Sequence, residues 1–337
     1  VGGGFGAKGM ISEEEVIVGQ LSRLVGRPVR WVESRTENLS AYVHGRAQAQ
    51  TVTVGGTRDG GVTHYRLDVV QDCGAYPKWG AFLPEFTRQL ATGVYDIANL
   101  EFSAVSLATN TAPTCAYRGA GRPEATAAIE RAMDLFAAEI GMDASEVRRT
   151  NLLAPEAFPY TTPTGTSMDS GDYEGALDRA LAAADYAGLR AEQQRRREAG
   201  DLVHMGIGVA TYVEITGFGG SEYGEVRLRS DGTVLASTGA TPIGTGHHPP
   251  WAMIVADRLG VPLDSIEVFH GDTEVIPSGS TTGGSRSVQI AGSAMADASE
   301  KLVDLAREAA ADLLEAAPGD VVLDRERGAF HVAGTPS

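Results

Sequence analysis

One short stretch constrains this chain more than any other part of it. It reads Ala116-Tyr117-Arg118-Gly119-Ala120-Gly121-Arg122-Pro123-Glu124, a glycine-rich turn with two arginines that leads into a predicted helix. Such a turn frees backbone N–H groups, and the start of a helix adds a partial positive charge. The sequence therefore predicts a binding site for an anionic ligand here, with forked arginine donors for carboxylate or phosphate oxygens.

Glycine-rich turns stand before predicted helices at four places in the chain. They cover residues 2–6, 119–121, 244–246 and 283–287. One such turn is weak evidence, because glycine simply permits tight backbone conformations. Four of them favour a large polyanionic cofactor that is held from several sides. A Rossmann or P-loop site is disfavoured, since neither fingerprint occurs at the required spacing.

The overall composition excludes several other classes of function. The chain has 337 residues and a formal net charge of -16, which argues against nucleic acid and anionic membrane surfaces as partners. No apolar run is long enough to span a bilayer. Cys73 and Cys115 stand far apart, so the sequence predicts neither an iron–sulfur cluster nor a structural zinc, and it favours a reducing cytoplasm.

Hydrophobic periodicity predicts a mixture of helices and strands with hairpins, which is typical of an α+β fold with two lobes. Helices are predicted over residues 13–25, 123–140, 173–200 and 292–315. Strands are predicted over residues 29–32, 47–54, 62–70, 102–107, 207–215, 224–229, 234–237, 266–269, 321–323 and 329–332. We place a first domain at 1–158, a linker with a bridging helix at 159–200, and a second domain at 201–337 that is incomplete at its C-terminus. Neither end resembles a natural terminus, so we expect an internal fragment.

Three local patterns leave alternatives open. Ser285-Arg286-Ser287 is typical of a pyrophosphate clamp, but Ser287 or Ser293 could instead cap the following helix. His247-His248 could bind a metal, although a loop histidine that forms a hydrogen bond is favoured. Cys115 could be a nucleophile, although a small buried thiol is the simpler interpretation.

Several motifs occur together in one order and point to a family. They are Gly2-Gly3-Gly4-Phe5-Gly6-Ala7-Lys8, the stretch from Ala116 to Glu124, Arg148-Arg149-Thr150-Asn151-Leu152-Leu153, Gly271-Asp272-Thr273, and Gly284-Ser285-Arg286-Ser287. The chain resembles the molybdopterin-binding large subunit of the xanthine dehydrogenase family, and within it the aerobic carbon monoxide dehydrogenase and aldehyde oxidase type.

The resemblance implies a molybdenum hydroxylase that oxidises an aldehyde, an N-heterocycle or a similar small substrate with water-derived oxygen. Molybdenum would be bound as molybdopterin cytosine dinucleotide, held by the pterin dithiolene and not by side chains. Arg118 would be catalytic, and the general-base glutamate would lie outside this chain. The residues that would bind the cofactor are Gly3, Gly4, Phe5, Gly6, Arg118, Gly119, Ala120, Gly244, Thr245, Gly246, His247, Gly284, Ser285, Arg286 and Ser287.

The resemblance also implies partners. We expect a medium subunit with FAD and a small subunit with [2Fe–2S] clusters, assembled as a dimer of heterotrimers. Two alternatives remain. One is a non-catalytic module that binds an anionic cofactor during assembly, and the other is a flavin or nicotinamide oxidoreductase.

Three departures from the family pattern bear on activity. Gly119 stands where copper-using carbon monoxide dehydrogenases carry a cysteine, so oxidation of CO would have to proceed without that copper-binding residue. Thr245 replaces the usual glutamine between Gly244 and Gly246. The family's general base is a glutamate in a Gly-Glu motif near the C-terminus of the subunit, and we find no matching motif near the end of this chain.

Overall fold

The computed structural model describes residues 3–217, 219–280 and 282–335, so Gly2 of the first predicted turn lies outside the described residues. The chain divides into two compact units. One comprises Gly6–Glu214, and the other joins Val1–Phe5 to Ile215–Ser337. The boundaries predicted after residues 158 and 200 both fall within Gly6–Glu214, so the predicted domains differ from the packing units and stay a prediction.

The Gly6–Glu214 unit is built on a three-stranded sheet. Its helices are α1 (Glu13–Val25), α2 (Arg35–Ala41), α3 (Leu83–Gln89), α4 (Arg122–Ile140), α5 (Ala144–Asn151), α6 (Tyr173–Ala183) and α7 (Tyr186–Ala199). Its strands are β1 (Gln48–Gly56), β2 (Val62–Asp72), β3 (Asn99–Leu107), β4 (Tyr160–Thr161) and β5 (Ser167–Met168). Strand β2 pairs antiparallel with β1 and parallel with β3. Helix α4 covers one face of the sheet, and Ile129 and Met133 join Leu67 in the core.

The second unit repeats this plan on a smaller scale. Its helices are α8 (His248–Leu259) and α9 (Gly292–Leu313), and its strands are β6 (Gly224–Leu228), β7 (Val234–Thr238), β8 (Ile266–Phe269), β9 (Val321–Asp324) and β10 (Ala329–Val332). Strand β7 pairs antiparallel with β6 and parallel with β8, and β9 pairs with β10. The turn between β6 and β7 has Gly232 at φ +85°, as the sequence Asp231-Gly232 predicts. Trp251 of α8 and Met295 of α9 are fully buried in the core.

The predicted α+β class is confirmed, with two corrections to individual elements. Residues 29–32 and 207–215 have strand-like composition but pair with no strand in the part of the chain that the structure describes. The helix predicted over 173–200 is two helices, because Asp185 at φ +48° interrupts it and caps α7 through Gly188. None of the described helices is long and apolar enough to cross a bilayer.

Candidate functional site

The turn at 119–121 has an unusual backbone conformation at every one of its three residues. Gly119, Ala120 and Gly121 have φ values of +100°, +46° and +83°, so three successive residues adopt the left-handed conformation. The turn leads directly into α4, whose N-cap Gly121 provides no side-chain cap. A Cβ on Gly121 would lie 2.8 Å from the Thr87 nitrogen and the Phe86 Cβ, which explains why glycine is required there. Arg118 is exposed at the tip of this turn.

Arg122 supports the turn from beneath. It is only 5% exposed, and its Nε donates to the Gly119 carbonyl at 2.6 Å. Its Nη2 lies 3.3 Å from Oε1 of Glu214, and its guanidinium lies 5.9 Å from the centre of the Phe86 ring. Burial lowers the pKa of Arg122 and raises that of Glu214, although their mutual attraction opposes both shifts. Arg122 is thus a structural cation inside the unit, whereas the side chain of Arg118 is exposed to solvent.

An aromatic cleft of about 450 Å³ lies beside this turn in the same unit. The residues that line it are Met10, Pro77, Lys78, Trp79, Phe82, Glu85 and Phe86. The rings of Trp79 and Phe86 are nearly parallel, at 14°, with centres 6.5 Å apart. Trp79 is 48% exposed and Phe82 is 65% exposed, so the cleft presents aromatic surface of the kind that binds planar ligands.

The first glycine turn is divided between the two units. Within the larger unit, a Cβ on Gly6 would overlap the carbonyl of Ala116, so Gly6 packs directly behind the Arg118 turn. Within the smaller unit, the N–H of Gly4 donates to the carbonyl of Ile243 at 2.9 Å. A Cβ on Gly244 would lie 2.7 Å from the Gly3 Cα. Phe5, between these contacts, has φ +50°. Two of the four predicted turns, 2–6 and 244–246, are therefore in contact.

The helix that follows this first turn begins at Glu13, as predicted from the sequence, and Ser12 and Glu15 form a complete capping box around its start. The box satisfies two of the first main-chain N–H groups, and Glu13, Glu14 and Glu15 place negative charge in the first turn, so this helix start disfavours an anion. The other three turns differ, because α4, α8 and the helical segment Ser287–Leu313 all begin without a side-chain cap.

The turn at 244–246 leads into α8 through two histidines. Gly244 and Gly246 have φ values of +87° and +71°, and the Thr245 hydroxyl lies 3.0 Å from Nδ1 of His247. Burial lowers the pKa of His247, and the neighbouring His248 lowers it further. A neutral imidazole at a helix start can form a hydrogen bond, which agrees with the favoured interpretation of this loop.

His248 faces a histidine that the sequence did not single out. Its Nε2 lies 2.8 Å from Nε2 of His270, which follows β8. At that distance the Nε2 atom of one ring must donate and the Nε2 atom of the other must accept, so the two Nε2 atoms cannot both carry a proton. No group of three or more metal-ligating side chains exists among the residues described.

The stretch Ser285-Arg286-Ser287 is held by its own unit. Ser285, at φ +56°, accepts at its carbonyl from the N–H of Gly217 at 3.3 Å. The Arg286 guanidinium contacts the Ser280 hydroxyl, which in turn donates to Glu222. Ser287 is buried, and its carbonyl accepts from the indole of Trp251 at 3.0 Å.

The alternative in which a serine caps the following helix is wrong. The segment from Ser287 starts as a π-helical turn, Ser287–Ala291, that continues into α9 without a side-chain cap. The hydroxyl of Ser287 lies against Thr282 at 3.2 Å, and that of Ser293 donates to the Gln289 carbonyl. The first N–H groups of this helix are therefore left for another partner.

The nucleophile proposed at Cys115 is not supported by its surroundings. The side chain is 1% exposed, and burial raises the pKa of its thiol. A protonated and inaccessible thiol is a poor nucleophile, so the structural interpretation applies. Sequence reasoning also missed Arg46 and Glu214, which contact the Arg118 turn and the buried Arg122 from distant positions. Neither residue belongs to a local motif, so the sequence carries no specific signal for these contacts.

Comparisons with known proteins agree with the motifs in both units. Two family models, each described as a molybdopterin cofactor-binding domain, match residues 1–152 and 179–337. The carbon monoxide dehydrogenase large chain of Hydrogenophaga pseudoflava is 38% identical over 100% of this chain. This chain spans 44% of that protein's length.

Solved structures show the same similarity. CO dehydrogenase from Oligotropha carboxidovorans matches 100% of this chain with a TM-score of 0.88 and 34% identity, and this chain covers 44% of it. Quinoline 2-oxidoreductase from Pseudomonas putida 86 matches 99% of this chain with a TM-score of 0.89 and 31% identity, again with 44% of its length covered.

Proposed function

This chain belongs to the xanthine dehydrogenase family of molybdopterin-binding large subunits, and we propose that its parent protein is a molybdenum hydroxylase. The observation that carries the proposal is the uncapped turn at 119–121, which presents Arg118 at the start of α4. A helix start without a side-chain cap is an electropositive site for an anionic or developing negative charge.

The described residues fit a molybdopterin cofactor by the chemistry of their donors. Gly244 lies against Gly3 with no room for a Cβ, so the main chains of the two glycine turns lie side by side. The uncapped segment after Ser285 offers main-chain N–H groups, with Arg286 beside them. Glu222 accepts from the same Ser280 hydroxyl that Arg286 contacts, so a carboxylate lies near the guanidinium and we expect the main-chain donors to supply most of the interaction with a phosphate.

We assign the following roles to this chain. Gly3, Gly4, Phe5 and Gly6, the turn 244–247, and residues 284–287 hold the cofactor, which we propose to be the cytosine dinucleotide form. The bound cofactor supplies two-electron redox chemistry. Arg118 orients the substrate and stabilises negative charge as it develops. The general base of the reaction is a glutamate outside this chain. Electrons leave through partner subunits that carry [2Fe–2S] clusters and FAD, in a dimer of heterotrimers.

The aromatic cleft bears on the substrate. Trp79, Phe82 and Phe86 favour a planar ring over a small gas molecule, because aromatic side chains bind flat ligands by stacking. Gly119 also lacks the thiol that the copper-using relatives carry at this position. We propose an N-heterocycle as the substrate, with an aldehyde as the second candidate.

The test uses the full-length protein with its partner subunits. We expect molybdenum by elemental analysis, a fluorescent pterin after oxidative release, and oxidation of an N-heterocycle such as quinoline with an artificial electron acceptor. A protein that lacks molybdenum and pterin would be an assembly module or a flavin enzyme instead. A molybdenum-loaded protein that oxidises CO but neither N-heterocycles nor aldehydes would contradict the substrate assignment alone.

A further inference from the structure

Arg46 contacts the candidate site from a distant part of the sequence. It stands just before β1, and its φ of +73° is unusual for a residue with a side chain. Its Nη1 donates to the Tyr117 carbonyl at 2.8 Å, and its Nη2 donates to the Arg118 carbonyl at 2.9 Å. One guanidinium thus holds two successive carbonyls of the turn through two separate nitrogens, a geometry that suits a planar fork of donors better than a compact ammonium.

The neighbouring carbonyl is held in the same way, because Arg122 donates to Gly119 at 2.6 Å. In a planar trans peptide the C=O and N–H groups point in opposite directions. Fixing the Arg118 carbonyl therefore directs the N–H of Gly119 to the other side of the turn. That N–H has no hydrogen-bond partner among the residues that the structure describes, whereas the N–H of Ala120 donates to Tyr117.

Two further contacts fix Arg46 in this position. Its Nη1 lies 3.5 Å from Oε2 of Glu124, a carboxylate that is only 7% exposed in the first turn of α4. Its guanidinium also lies 5.4 Å from the centre of the Tyr117 ring. Glu124 thereby balances the charge of Arg46 locally, so the role of Arg46 in this turn is to hold the main chain and not to add net positive charge.

We propose that Arg46 is a positioning residue that presents the Gly119 N–H and the Arg118 side chain to the bound ligand. The inference rests on the proposed function, since it treats the turn at 119–121 as part of the site of that activity. Arg46 acts through the peptide planes of the turn and not by touching the substrate.

The left-handed backbone at position 46 provides a sharp test. Arg46→Gly removes the guanidinium but suits φ +73° better than arginine does, so folding should be preserved. In the full-length protein we expect amide hydrogen exchange at residues 118–120 to be about tenfold faster, with unchanged exchange in β1 and β2. We expect kcat to fall about 10–100-fold, because misplaced catalytic groups have effects of this size.

Chemical rescue and matched variants separate positioning from a general loss of structure. Free guanidinium ion at millimolar concentration should restore part of kcat to Arg46→Gly, and Arg46→Lys should be intermediate because it holds one carbonyl. Arg66→Gln is the control, since Arg66 lies on β2 and pairs only with Asp68 and Glu101. It should change neither exchange at the turn nor kcat.

The outcomes distinguish this inference from the proposed function. If the wild-type protein contains molybdenum and turns over, but Arg46→Gly changes neither exchange at 118–120 nor kcat, the positioning role is wrong while the function stands. If the wild-type protein contains no molybdenum but Arg46→Gly still loosens the turn, the assigned activity fails and the structural role of Arg46 is supported. A loss of kcat without rescue and with a lowered melting temperature would also reject positioning.

Discussion

At the scale of single residues, Gly121 is a position where the candidate site tolerates little change. It has φ +83°, and a Cβ there would lie 2.5 Å from the Leu83 carbonyl. We expect Gly121→Ala to lower the free energy of unfolding by about 2–4 kcal/mol, because left-handed strain alone costs about 1–3 kcal/mol and a backbone clash is added. Chemical denaturation of the full-length protein measures this.

Gly141→Ala is the matched control for that substitution. Gly141 ends the same helix, α4, at φ +73°, but a Cβ there would meet nothing within 4 Å. It should cost only the strain, about 1–2 kcal/mol. Equal losses for the two variants would show that the contact with Leu83 has no weight.

Substitution of Arg118 and substitution of Arg286 should have opposite effects. We propose that Arg118 acts in the reaction and that Arg286 retains the cofactor. Arg118→Ala should lower turnover per bound molybdenum by about 10²–10³-fold, the usual effect of losing a group that stabilises developing charge. Molybdenum content should stay close to that of the wild type. Steady-state kinetics and elemental analysis on the same preparation test both statements.

Arg286→Ala should instead reduce molybdenum content and leave turnover per bound molybdenum nearly unchanged. Arg286 contacts Ser280 in the loop before the uncapped helical segment, so its loss loosens that loop. Arg307→Ala provides the comparison, since Arg307 pairs with Asp304 on the surface of α9. Full molybdenum occupancy in Arg286→Ala would remove the clamp from the proposal.

At the scale of elements, a buried ion pair joins α4 to α5. Arg148 of α5 is 0% exposed, and its Nε donates to Glu130 of α4 at 2.8 Å. Glu130 also accepts from the N–H of Thr211, so the pair fixes the extended segment around 211. We expect Arg148→Ala to destabilise the protein by about 3–5 kcal/mol, because it leaves a buried carboxylate without its partner.

The adjacent arginine gives the contrast for that prediction. Arg149 pairs with Glu174 and Asp178, but its side chain is 28% exposed and both carboxylates are more than half exposed to solvent. Arg149→Ala should cost less than about 1 kcal/mol, as exposed ion pairs usually do. If thermal unfolding shows equal losses for Arg148→Ala and Arg149→Ala, burial is not what makes the first pair important.

The histidine pair at the start of α8 should make stability depend on pH. Burial, and then the charge of His248, lower the pKa of His270 in the folded state. The unfolded chain therefore binds more protons than the folded one below a pH of about 6.5, and stability is lost as the pH falls towards the folded pKa. Denaturation midpoints between pH 8 and pH 5 should fall less steeply in His270→Asn. Parallel profiles for both proteins would contradict this.

Sequence patterns predicted elements well where local chemistry decides the conformation. Ser12 caps α1, which begins at Glu13 as predicted, and the turn at Asp231-Gly232 joins β6 to β7; both depend on contacts within a few residues. Residues 29–32 and 207–215 are different, because a strand also needs a partner for its main-chain hydrogen bonds. No neighbouring strand pairs with either segment among the described residues, and composition alone could not show this.

At the scale of the whole molecule, the glycine turns could be predicted from the sequence, but their supports could not. Glycine adopts positive φ values that other residues rarely adopt, so clusters of glycine in the sequence indicate turns with an unusual backbone conformation. Arg46 contacts the Arg118 turn from 72 residues away, and His270 contacts His248 from 22 residues away. Such pairings depend on how strands and helices pack, which no pattern of neighbouring residues records.

The last prediction concerns this chain expressed by itself. Helix α1 has no buried residue, and its apolar side chains Val16, Leu24 and Val25 are 55%, 81% and 53% exposed. An amphipathic helix with an uncovered apolar face is a docking surface, and this chain spans 44% of the length of its relatives. We therefore expect residues 1–337 alone to lack turnover, to retain cofactor weakly and to bind a hydrophobic dye.

Paired variants on α1 make that prediction specific. Leu24→Glu should reduce dye binding and self-association of the isolated chain, because it places a charge in the uncovered apolar face. In the full-length protein the same substitution should be destabilising, since that face would then be packed against the remaining polypeptide or a partner subunit. Gly19→Glu adds the same charge on the opposite side of the helix, where a Cβ would meet nothing within 4 Å, and it should neither reduce dye binding nor destabilise the full-length protein. Multiple turnovers of aldehyde, N-heterocycle or CO by the isolated chain, once supplied with the cofactor, would place the general base within residues 1–337 and refute our assignment of it elsewhere.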